Sequence, residues 1–70
     1  MNITGTLTKN GNRWTIRDMI TGKVYELSGV ELPDRLDGLN CRVVGVIEDS
    51  FGLGVIHNEA VLQVQRWKVV

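Results

Sequence analysis

VELPDRLDGLNCRVVGVIE, residues 30–48, decides between fold classes. Its first half is too polar and too long for a hairpin turn. Pro33 suits the first position of a helix and Gly38 suits the residue just past its end. One or two helical turns are therefore predicted over residues 33–37, with Leu32 and Leu36, four apart, set against an apolar core. The second half reads as a strand over residues 39–48. Cys41, Val43, Gly45 and Ile47 share one phase of its two-residue alternation. A glycine inside a strand, here Gly45, marks a bend or a close backbone approach, as at the corner of a barrel.

Upstream lie three short alternating runs. Residues 3–9 place Ile3, Gly5 and Leu7 in one phase, and Asn10-Gly11 is a hairpin turn signal. Residues 13–18 place Trp14 and Ile16 on one face and Arg13, Thr15 and Arg17 on the other. A turn at Gly22 leads into residues 23–28, where Tyr25 and Leu27 share a face. Downstream, residues 49–59 read as a long glycine-containing loop. Residues 60–70 then alternate at Ala60, Leu62 and Val64, after which the apolar phase shifts to Trp67 and Val69. Such a shift predicts a β-bulge near Gln65 and Arg66. Three strands, a short helix and two strands make an all-β, five-stranded OB-like barrel, a single domain over residues 1–70. An SH3-like barrel is the runner-up, and it has no helix between its third and fourth strands.

The pattern GTL, GNRWTIRD, GKVYELSG, LDGLNCRVVGVIED and LQV resembles the small bacterial OB-fold proteins. In that family the third strand is followed by a short helix and a strand of the form G-x-x-V-x-V-x-G-x-V. Gly38, Cys41, Val43, Gly45 and Ile47 occupy those positions here, with Cys41 in a valine's place. The resemblance covers most of the chain and implies the fold. It carries no activity with it, because one fold hosts many functions.

Bulk composition narrows the function. Apolar residues make up 43% of the 70, enough for a packed core. Eight Lys and Arg balance eight Asp and Glu, so the overall excess of positive charge usual in a non-specific nucleic-acid binder is missing. One cysteine and one histidine exclude an intrachain disulfide and make a poor start for a zinc site. No apolar run approaches membrane-spanning length. A cytoplasmic protein with no membrane contact is expected, without cofactor or metal.

No catalytic residue is expected. His57 has no positioned acid–base partner in the sequence. Cys41 falls on the inward phase, where a thiol acts as a small hydrophobe. The acidic residues lack the spacing of a metal loop. Two binding surfaces compete instead. The first is an apolar interface at Val44, Val46, Trp67 and Val69, because the strand at Val44 and Val46 is apolar on both faces. It would serve contact with a protein partner, including a second copy of the chain as a homo-oligomer. The alternative is weak single-stranded nucleic-acid binding by Lys9, Arg13, Arg17, Lys23 and the loop residue Phe51. That strip lacks a stacking platform if Trp14 and Tyr25 point into the barrel, as their phase predicts. Base stacking is worth about 1–3 kcal/mol per base, so its loss weakens this reading.

Overall fold

A computed structural model of the chain describes residues 1–48 and 60–70. Among the described residues five strands form one closed barrel: β1 (Asn2–Asn10), β2 (Arg13–Asp18), β3 (Val24–Ser28), β4 (Asn40–Glu48) and β5 (Ala60–Val69). Their order around the barrel is β1-β2-β3-β5-β4, with β4 returning to β1. β3 and β5 run parallel, and every other neighbouring pair is antiparallel. The expected OB-like barrel is what the chain forms. Its strands lie within one or two residues of the sequence reading.

The alternation read from the sequence is the alternation of burial. Ile3 and Leu7 on β1, Trp14 and Ile16 on β2, Tyr25 and Leu27 on β3, Cys41 and Val43 on β4, and Leu62 and Val64 on β5 all face the core. Each fully buried aliphatic side chain contributes roughly 1.5–3 kcal/mol relative to exposure. Ile47 shares their phase but is 37% exposed, because β1 pairs with β4 only as far as Val44 and Ile47 lies beyond that cover, at the edge of β4. Its expected inward packing is corrected accordingly.

The connection between β3 and β4 plugs one end of the barrel. A single 3₁₀ turn spans Asp34–Leu36, shorter than the one or two turns predicted. Pro33 is extended and precedes the turn, and Gly38 takes a φ of 83° just after it. Four residues between these two stops leave no room for a longer helix, whose nucleation fixes several residues for one hydrogen bond. Leu32 and Leu36 are both buried, as their spacing suggested. The plug is tied to β1: Leu7 N–H donates to Leu39 O at 2.9 Å and Gly38 N–H to Leu7 O at 2.8 Å. The Lys9 backbone N–H also donates to Asp37 Oδ1 at 2.9 Å.

Two glycines let the strands bend to close the barrel. A Cβ at Gly5 would collide with the Arg17 carbonyl, and one at Gly45 with the Gln63 carbonyl. The backbones approach so closely there that only glycine fits. The predicted bulge also forms. Val44 pairs with Arg66, but the next residue, Gly45, pairs with Val64, so Gln65 is the extra residue on β5.

Candidate functional site

The strand-2 basic strip expected to meet nucleic acid is largely engaged within the fold. Arg13 Nε lies 2.9 Å from Glu26 Oε1, and Lys9 Nζ lies 2.5 Å from Asp34 Oδ1. Thr15 stands opposite Glu26, which fixes that carboxylate beside Arg13 on the outer surface. Lys23 Nζ sits 5.6 Å from the Tyr25 ring centroid, a cation–π distance. Arg17 is exposed. Trp14 and Tyr25 are both buried, so neither offers a face for base stacking. Phe51 lies outside the described residues, as do His57, Asp49 and Glu59.

The four residues expected at an interface divide into two groups. Val44 and Trp67 line a shallow cleft of about 400 Å³ together with Asn2, Arg42, Arg66 and Lys68. Val46, two residues on from Val44, is 52% exposed and continues the apolar surface. Trp67 is half-buried and packs against the core. Val69 is exposed but does not line the cleft; it pairs with Cys41 towards the far end of β5.

Three cations around this cleft were missing from the sequence reading of the site. Arg42 stands directly opposite Lys68, and Val44 directly opposite Arg66. Directly opposed residues project to the same side of a sheet, so the three charges share one face. All three are exposed, and among the described residues none has a carboxylate within ion-pair distance. The bulge at Gln65 produces this arrangement. Were Gln65 paired with Val44 in a regular ladder, Arg66 would fall opposite Val43, on the core side. With Gln65 bulged out, Trp67 takes that place and Arg66 and Lys68 turn outward. The phase shift in the sequence was the signal that could have located them.

Chemical reactivity elsewhere is low. Cys41 is fully buried, and burial pushes its thiol above the ordinary range, with Arg35 opposing the shift. A protonated, buried thiol is a poor nucleophile. Among the described residues no group of three or more His, Cys, Asp or Glu side chains could hold a metal ion. No helix among them is long and apolar enough to cross a membrane.

No protein-family model matches the chain, and no curated protein and no solved structure is significantly similar to it.

Proposed function

We propose that the protein is a non-catalytic binding module that docks another protein on the outer face of β4 and β5. The observation that carries this reading is the apolar pair of half-buried Val44 and exposed Val46, set beside Trp67 and ringed by Arg42, Arg66 and Lys68. Apolar centres with Arg and Trp at their margins are the make-up of protein interfaces. The family-level resemblance to small bacterial OB-fold proteins is part of the proposal, supported by the barrel and its plug. So is a cytoplasmic setting, which the single buried thiol suits.

The same cations argue against a second copy as the partner on this face. A twofold contact centred on Val44 would bring two sets of three positive charges together, and like charges at close quarters cost several kcal/mol. Nucleic acid is the second reading, because the cations would also accept phosphates. With no exposed aromatic among the described residues to stack on, such binding would rest on charge alone and fall steeply with salt.

Panning a library of random short displayed peptides on the wild type and on Val46→Lys tests the proposal. Val46 is half-exposed, so the change leaves the core intact. Peptides enriched by the wild type and lost on the variant support the reading. Equal enrichment on both, or enrichment on neither, would overturn it.

A further inference from the structure

The geometry points to an acidic, extended polypeptide segment as the occupant of the β4–β5 face, an inference that rests on the binding-module reading above. Its first support is the sorting of charge. The whole chain is neutral, yet the outward rows across this part of the barrel carry no carboxylate. One row runs Arg66, Val44, Asn2, and the next Lys68, Arg42, Thr4. A third adds Asn40, Thr6 and Arg17, in which Thr6 Oγ1 donates to Asn40 Oδ1 at 2.9 Å. Four of the described acids lie outside these rows and have local partners. Glu26 meets Arg13, Asp34 meets Lys9, Asp18 accepts from the Ile20 N–H, and Glu48 accepts from the Ser28 hydroxyl. The face thus presents hydrogen-bond donors and positive charge, with Val44 and Val46 supplying the apolar part.

The second support is size. From β5 across β4 and β1 to β2 is three inter-strand steps, about 14 Å. Successive rows lie about 7 Å apart along the strands. This footprint falls well below the roughly 800 Å² per partner of a standard interface between globular proteins. A linear segment fits it. An extended chain running along β5 places alternate side chains about 7 Å apart, which is the spacing of Arg66 and Lys68. Carboxylates at alternate positions then meet both cations, and Arg42 and Arg66 can each take one in a bidentate pair. An apolar side chain of the segment enters the cleft over Val44 and Trp67.

A phosphodiester strand would satisfy the cations but leave Val46 without a use; of the described aromatics, Trp14 and Tyr25 are buried and Trp67 is half-buried against the core. The test pans the same peptide library on the wild type, on Arg42→Glu/Arg66→Glu/Lys68→Glu, and on Arg13→Glu as a control away from the face. The wild type and the control should enrich peptides rich in Asp and Glu, with acids two residues apart. The charge-reversed variant should enrich Lys and Arg instead and bind the wild-type peptides at least about tenfold more weakly. All three reversed positions are exposed, and slow reaction of the Cys41 thiol confirms that the variant is folded. Enrichment that Val46→Lys abolishes but that shows no acidic bias overturns this inference and leaves the binding-module reading standing. Enrichment indifferent to every variant overturns both. An oligothymidine that binds more tightly than the best peptide at equal salt assigns the face to nucleic acid and refutes the acidic segment.

Discussion

Val44 and Arg66 stand directly opposite each other on β4 and β5, and Gln65 is the residue that the ladder skips between that pair and the next, Gly45 with Val64. This one-residue irregularity sets the polarity of both faces of β5. Ahead of it Leu62 and Val64 point inward; beyond it Trp67 does.

Deleting Gln65 should therefore leave both faces of β5 as they are. Arg66 then follows Val64 directly and meets Val44, and Trp67 meets Val43, in a regular ladder. Urea unfolding should show a change of about 1 kcal/mol or less. A loss of about 3 kcal/mol or more, the cost of burying a charge without a partner, would show that Arg66 had been turned towards the core.

Gly5→Ala and Gly45→Ala should each destabilise the barrel by about 2–3 kcal/mol, because the new methyl meets a backbone carbonyl that cannot swing aside. Gly11→Ala is the comparison. Its Cβ would meet open space, and only its positive φ of 64° penalises the change, by roughly 1–2 kcal/mol. Equal losses at all three positions would remove the close-approach argument.

Cys41 should react slowly with an aqueous disulfide reagent under native conditions and quickly in denaturant. Its folded pKa is raised, so the folded state holds the thiol proton more tightly than the unfolded one. The sign follows: this contribution to stability is complete below the thiol's ordinary pKa and is lost as pH rises through the folded value. Cys41→Ala should lower stability throughout and flatten its decline at alkaline pH. An identical alkaline slope in both proteins would count against the buried thiol as its source.

Sedimentation equilibrium at low salt should find a monomer at high micromolar concentration, because the face that carries Val44 also carries Arg42, Arg66 and Lys68. Any association through that face should strengthen with added salt, as screening weakens the repulsion. A dimer at low salt that Val46→Lys dissolves would reverse this assignment and restore self-association.

Much of the barrel was legible in the sequence because strand periodicity and core burial are the same signal. Trp14, Tyr25 and Cys41 were placed correctly by phase alone. The length of the turn after Pro33 was not, since helix stops say where a helix cannot be and not how far it extends. The candidate site was only half legible. Val44 and Val46 stood out as apolar residues on an outer face. The cations around them did not, because Arg66 and Lys68 lie far from Arg42 in the chain. Their meeting depends on a pairing register that periodicity within one strand does not contain. The strand-2 strip was incompletely legible for the converse reason: the sequence gives no sign that the fold brings Glu26 beside Arg13 and Asp34 beside Lys9.

β5 enters the barrel between β3 and β4, parallel to one and antiparallel to the other. Until it arrives, both neighbours are open edges. Contacts this distant in sequence form late, since a large loop must close before any of them is gained, so folding on the millisecond-to-second scale typical of small β-barrels is expected. During synthesis the first four strands emerge from the ribosome before the strand that seals them. For that interval the nascent chain presents two unsatisfied edges able to pair with other chains. The time between translation of β4 and docking of β5 is thus the window in which this protein is most exposed to aggregation, and in which a chaperone would have most effect.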